Sequence, residues 1–331
     1  MLPLELRLKQ VSELTPALRY RGDMPFAEWQ QSARVKLWEL LGMDTFRPCD
    51  PAFEAREAED MGAYWRRYFS FQSEEGYRVP CCWLEPKERD AQAPVMICLQ
   101  GHSSGMHISL GIAKFPGDEQ DIEEERDIAV LAAARGCRAL AVEQRCFGAA
   151  GGSPEGRPDC HRTAMSALLT GRTLIGERVW DVMRAVDAAE QHFGAAGAAF
   201  YCMGNSGGGT ATFYAACLEP RIAKAMPSCA VCGYDGSIIP IRHCVCNFVP
   251  GIRRWFDMGD LGGLVAPRPL MVVAGREDNI FPIAATRETF TRIQGYYEAA
   301  DAPANCALHV GAGGHRFYAE AWDTFDGLGN P

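Results

Sequence analysis

Long apolar runs are missing from this chain. No stretch reaches the roughly 18 uncharged apolar residues that a spanning helix needs, so no membrane partner is expected. The N-terminus, Met1-Leu-Pro-Leu-Glu-Leu-Arg-Leu-Lys-Gln10, interleaves charges with its apolar residues. It has neither the apolar core nor the small-residue cleavage site of a signal peptide, and a cytoplasmic location is expected. Long basic runs are missing too. With a formal net charge of -9, nucleic acid is not an expected partner. No G-x-x-x-x-G-K-S/T phosphate loop and no dinucleotide G-x-G-x-x-G is present, so no nucleotide cofactor is expected. No unit repeats along the chain.

Cysteine, by contrast, is plentiful at 14 residues. The cysteines are scattered. Cys98, Cys137, Cys202 and Cys229 lie in apolar runs and read as small buried hydrophobes. Cys229-x-x-Cys232 and Cys244-x-Cys246, with His243 beside the second pair, invite a zinc reading. The first pair closes a strand candidate, however, and neither has the compact context of a zinc knuckle. Reduced thiols, no metal and no cofactor are expected.

The 331 residues suffice to bury roughly three quarters of the extended surface. Residues 1–67 read as an N-terminal helical extension. Apolar residues from Phe26 to Leu41 recur at helical spacing up to Gly42, and Met61, Tyr64, Trp65 and Tyr68 give a second helical candidate over 54–68. Tyr68 to Gln72 and Tyr77 to Leu84 form a hairpin candidate around Gly76. From there, short apolar strands alternate with helical segments. The strand candidates begin near Val95, Arg138, Ala198, Ile222, Leu270 and Ala307. Helical segments are read over about 121–135, 174–193, 210–218, 283–296 and 317–325. Alternation of this kind argues for an α/β chain with a mostly parallel sheet, helices on both faces, over 68–331. An irregular stretch at 232–266 is a candidate cap.

One stretch organises the remainder. Gly204-Asn-Ser-Gly-Gly208 lies between a small apolar strand and a helix candidate. Strand, Gly-bounded turn and helix is the arrangement that exposes a serine at a strained backbone position. The same turn aims the Gly207 N–H from the start of a helix toward any negative charge developing beside Ser206. A neutral hydroxyl needs a base. His315 follows the last strand between Gly313, Gly314 and an aromatic segment. Asp278, in Gly275-Arg-Glu-Asp278, follows the strand before it, with Glu277 as its rival. The order is serine, acid, histidine. Glu143 and Arg145 follow another strand and are candidate pocket groups, as is Trp255 in the irregular stretch.

These motifs resemble the α/β-hydrolases, close to the dienelactone hydrolase-like and acetyl xylan esterase-related branch, from about Tyr68 onward. The resemblance implies a catalytic set of Ser206, Asp278 in Gly275-Arg-Glu-Asp-Asn-Ile-Phe-Pro282, and His315 in Gly313-Gly-His-Arg316. Leu99-Gln-Gly-His-Ser-Ser-Gly105 resembles the L-H-G-x-G oxyanion loop with Gln100 in place of histidine. It implies that the His102 N–H joins Gly207 as oxyanion donor. Val142-Glu-Gln-Arg-Cys-Phe-Gly148 resembles a D-x-R-G-x-G loop with Cys146 where glycine is common. Leu174-Ile-Gly-Glu-Arg-Val-Trp-Asp181 resembles a helix entry of the larger esterases. The implied activity is hydrolysis of small carboxylic esters, such as acetylated carbohydrates or natural products, through an acyl-serine, with no metal or cofactor. Two alternatives stay open: an amidase or peptidase with the same triad, and a non-enzymatic binding or scaffold protein. The N-terminal helices are a candidate surface for a homo-oligomer such as a dimer.

Overall fold

Strand β5 (Val95–Leu99) is buried along its whole length. Its side chains alternate between two separate cores: Val95, Ile97 and Leu99 enter one, Met96 and Cys98 the other. A strand with no polar face must be covered on both sides. Leu140 and Val142 part from Ala139 and Ala141 in the same way on β6 (Arg138–Val142), and β9 (Leu270–Gly275) repeats the pattern. The computed structural model describes residues 1–329.

Strands β1 (Glu54–Ala55) and β2 (Glu59–Asp60) are short pieces antiparallel to β3 (Tyr64–Glu74), which pairs antiparallel with β4 (Tyr77–Pro86). Beyond them come β7 (Phe200–Asn205), β8 (Ile222–Ser228) and β10 (Cys306–Gly311). From β3 onward the order is β3-β4-β6-β5-β7-β8-β9-β10, so only β5 and β6 exchange places. All pairs from β6 to β10 are parallel.

Helices α1 (Pro3–Ser12) and α2 (Phe26–Leu40) precede the sheet. The short α3 (Asp118–Asp121) runs into a wide turn before α4 (Ile128–Ala134). Then follow α5 (Cys160–Leu169), α6 (Leu174–His192), α7 (Gly207–Leu218), α8 (Met258–Val265), α9 (Ile283–Ala299) and α10 (Ala321–Gly327). The larger core takes residues of α2, α6, α7, α8 and α9. The smaller one takes Ile128 and Ala129 of α4 and Trp322 and Phe325 of α10. Each large side chain buried there contributes roughly 1.5–3 kcal/mol.

Four sequence expectations change. Residues 54–68 hold β1, β2 and the start of β3, not a helix. The exposures along Tyr64–Tyr68 alternate residue by residue: Tyr64 and Tyr68 fall on the covered side of the pleat and Trp65 on the exposed side, although all three fit a helical face. The sheet therefore takes in the end of the 1–67 segment. The helix expected over 121–135 is broken at Glu124 and Glu125, whose backbone leaves the helical region. Helix α5 fills a region that had no element assigned. The closing helix starts at Ala321, and Phe317 and Tyr318 are buried in the loop before it.

The N-terminal extension lies against the body of the same chain. Gln30 Nε2 donates to the Gly263 and Ala266 carbonyls at 2.7 and 2.6 Å, and Trp29 stacks on Tyr296 at 5.0 Å. The 232–266 stretch is irregular only as far as Asp257, which caps α8. That helix packs on α7 and α9.

Candidate active site

Strand β7 ends and α7 begins at Ser206, whose φ of 54° and ψ of −121° lie where a side chain is strained. The surroundings hold it there. The Ser206 N–H donates to the Ser228 carbonyl at 2.9 Å, and Ser228 Oγ donates to Asn205 Oδ1 at 3.0 Å. The flanking glycines are required by contact. A Cβ on Gly204 would lie 2.5 Å from the Gly208 carbonyl, and one on Gly209 would lie 2.5 Å from the Ser228 carbonyl.

The next strands bring the other two groups to the same sheet edge. The loops after β9 and β10 are joined by backbone bonds from Arg276 N to Gly311 O and from Glu277 N to Gly313 O, both 2.9 Å. This sets His315 Nδ1 at 2.8 Å from Asp278 Oδ2. The other carboxylate oxygen accepts from the Ile280 and Phe281 N–H groups at 2.8 and 3.0 Å. Asp278 thus orders the loop before α9 with one oxygen and the imidazole with the other. Its burial opposes the charge, but His315 and the two amides outweigh that and hold it below the ordinary carboxylate range. An ionised carboxylate only accepts, so the proton sits on Nδ1 and leaves the Nε2 lone pair free. Glu277, the rival acid, is exposed. Phe281 stacks on the imidazole at 5.8 Å. Cys229, one residue past Ser228, has its sulfur within 4.8 Å of Asp278 and His315 donor atoms. Burial and the Asp278 charge raise its thiol to about 12, so it stays neutral.

The loop after β5 closes the other side. A Cβ on Gly101 would lie 2.9 Å from the Asn205 carbonyl and 3.1 Å from Ser206 Cβ. The His102 ring covers Gly207, where a Cβ would sit 2.6 Å from Nδ1. Gly207 opens α7, and the first N–H groups of a helix have no partner within it. On its far side His102 Nε2 lies 3.2 Å from Cys246 Sγ. Burial disfavours the charged ring, yet Cys246 and Cys244 outweigh burial and lift its pKa to about 9.

Comparison with known proteins follows this geometry. No family model matches the chain. It is 23% identical over 242 residues to "Putative hydrolase YtaP" of Bacillus subtilis, covering 72% of this chain and 78% of that one. A solved "putative acetyl xylan esterase" of Bacteroides fragilis has a TM-score of 0.78 at 16% identity, over 92% of this chain and 81% of that one. A glucuronoyl esterase from Solibacter usitatus has a TM-score of 0.66 at 14% identity, over 95% and 97%. The fold is that of an α/β-hydrolase.

Within this fold the three candidate pocket groups make contacts away from Ser206 and His315. Glu143 is buried under the loop after β5. Its Oε1 accepts from Gln100 Nε2 at 2.5 Å and from the Met106 N–H at 2.9 Å, and Oε2 accepts from the Ala149 N–H at 3.3 Å. Burial lifts its pKa to about 7 against those donors. It lines a cavity of about 990 Å³, but shares it with Arg56, Tyr68, Arg78 and Lys114, not with Ser206. Arg145 is buried in a carboxylate network, with two bonds of 2.8 Å to Asp181 and one of 2.7 Å to Glu74. Trp255 ties the irregular stretch to the extension: its carbonyl accepts from the Leu18 N–H at 3.0 Å, and Lys36 Nζ lies 4.3 Å from its ring. Cys146 is buried beside Cys160. Glu143 as the support of Gln100, and the thiols around His102, escape sequence reasoning because their partners lie 43 to 144 residues away.

Proposed function

We propose that this chain is a serine carboxylester hydrolase that removes small acyl groups, with acetylated carbohydrates or natural-product esters as substrates. The observation that carries the reading is the His315–Asp278 pair, 2.8 Å apart, at the sheet edge where Ser206 occupies its strained elbow. In this reading Ser206 Oγ attacks the acyl carbon as His315 Nε2 takes its proton. The oxyanion that forms is met by the Gly207 and His102 N–H groups. The imidazolium, steadied by Asp278, returns the proton to the leaving alkoxide, and water attacks the acyl-serine by the same route to release the acid. The solved neighbours with esterase names support ester chemistry, and the acetyl xylan and glucuronoyl names support a carbohydrate ester.

Two further points belong to the reading. All 14 cysteines are free, in keeping with a reducing, cytoplasmic setting. Among the described residues no helix is long and apolar enough to cross a membrane. Exposed Leu2, Leu4 and Leu6 on and beside α1 suit self-association as a dimer, which light scattering over a concentration series reads.

The deciding experiment labels the protein with a fluorophosphonate and maps the adduct by peptide mass spectrometry, alongside turnover of p-nitrophenyl esters and acetylated sugars. One adduct on Ser206, absent in folded Ser206→Ala together with turnover, is the expected outcome. A stoichiometric adduct on Cys146 with full turnover in Ser206→Ala overturns the mechanism.

A further inference from the structure

Three distant segments meet at His102. They are the turn after β5, the first residue of α5, and the irregular stretch between β8 and α8. They contribute His102, Cys160, Cys244 and Cys246, whose nitrogen and three sulfur donors all lie within 4.8 Å of one another. Cys160 and Cys246 are buried, and His102 Nε2 already lies 3.2 Å from Cys246 Sγ. A tetrahedral zinc ion with bonds of about 2.3 Å to sulfur separates its sulfur ligands by about 3.8 Å. The observed cluster needs little movement to reach that spacing. We propose that His102, Cys160, Cys244 and Cys246 form a four-coordinate zinc site that ties the oxyanion loop to α5 and the irregular stretch.

Charge provides an independent argument. Arg178 on α6 is 1% exposed. Its guanidinium donates to the Arg145 carbonyl at 2.9 and 3.3 Å and to Cys160 Sγ at 3.3 Å, and lies 4.3 Å from the Phe147 ring. None of these is a carboxylate, although a buried cation needs a counter-charge. Whether the proton sits on Cys246 or on the His102 ring, the metal-free cluster has no net charge and provides none. Three thiolates and a neutral imidazole around Zn²⁺ carry a net charge of −1, and Arg178 balances it. Binding releases the thiol protons to solvent.

The donor set fixes both the metal and its task. Thiolate and imidazole select zinc over the hard cations magnesium and calcium. Four protein donors leave no open position for water, so the ion is structural and takes no part in ester chemistry. Its effect passes through His102, whose ring covers Gly207 and whose neighbour Gly101 lies against Ser206. Of the two pairs suggested by local spacing, Cys244-x-Cys246 joins the cluster and Cys229-x-x-Cys232 does not. Cys229 sits beside Asp278 and His315, and Cys232 beside Thr286.

The test uses the full chain expressed with zinc and purified reduced. Elemental analysis should find about one zinc per chain, and X-ray absorption at the zinc edge should show three sulfurs and one nitrogen. Cys246→Ser and Cys160→Ser should lose the ion, while Cys306→Ser on β10 keeps it. Cobalt added to the stripped wild type should give the thiolate charge-transfer and strong visible bands of tetrahedral Co²⁺. The cobalt and absorption measurements stand even if a serine variant fails to fold. A wild type that takes up no metal from excess zinc overturns the proposal. So does an ion with only oxygen and nitrogen ligands, or zinc retained by both Cys246→Ser and Cys160→Ser.

Discussion

At the scale of single residues, the site depends on which atom carries a proton. Asp278 Oδ1 is committed to the Ile280 and Phe281 N–H groups. In Asp278→Asn the amide oxygen keeps those bonds, which turns the NH₂ toward His315 Nδ1. The imidazole proton then moves to Nε2, the atom that accepts from Ser206 in the proposed mechanism. The expected outcome is a fall in kcat of about 10⁴-fold with KM nearly unchanged. Steady-state kinetics on one p-nitrophenyl ester checks it, and a loss below tenfold rules out the orienting role. Ser206, Asp278 and His315 stand out in the sequence because each follows an apolar strand, Ser206 and His315 among glycines, and the structure pairs His315 with Asp278. Glu143 and Arg145 also follow a strand, yet their side chains turn inward to Gln100 and Asp181. Sequence places a residue at a strand end without saying which way its side chain leaves.

At the scale of elements, buried charge joins what hydrophobic pattern leaves separate. Arg145, in the loop after β6, reaches Asp181 and Glu177 on α6 and Glu74 at the end of β3. The Asp181 side chain is 2% exposed, so removing its cation leaves a charge without solvent. Arg145→Met is expected to destabilise the fold by about 3–5 kcal/mol, and adding Asp181→Leu should recover part of the loss. Denaturant midpoints of the two variants read this. KM for small esters should not move, and a large rise in KM with unchanged stability would return Arg145 to the substrate pocket. Pattern-based reading served the parallel strands well, since β5 and β9 are continuous apolar runs. It failed at 54–68, where Tyr64 and Tyr68 satisfy a helical and a pleated face together, while Trp65 fits only the helical one. Only the partner strand β4, with Tyr68 opposite Cys82, decides between them.

At the scale of the whole molecule, one buried acid ties global stability to pH. Glu143 is 3% exposed, and its pKa rises from 4.5 to about 7 on folding, because burial outweighs its three N–H donors. A carboxyl with a raised pKa favours the folded state fully below the unfolded value. That contribution is lost as pH climbs through the folded one. The window here runs from about pH 4.5 to somewhat above 7, and the loss across it is roughly 3 kcal/mol. Other groups titrate in the same range, and the chain's charge changes sign near pH 5.4. Glu143→Gln isolates the one group, since the variant keeps the Oε1 bonds and shares every other charge. Unfolding free energies of dilute wild type and variant should converge at the acid end, with the variant more stable by pH 8. Curves that stay parallel across the window would mean that Glu143 is ionised throughout. The loop after β5 would then rest on a permanent carboxylate held by Gln100, Met106 and Ala149, and burial would be the weaker force at that position.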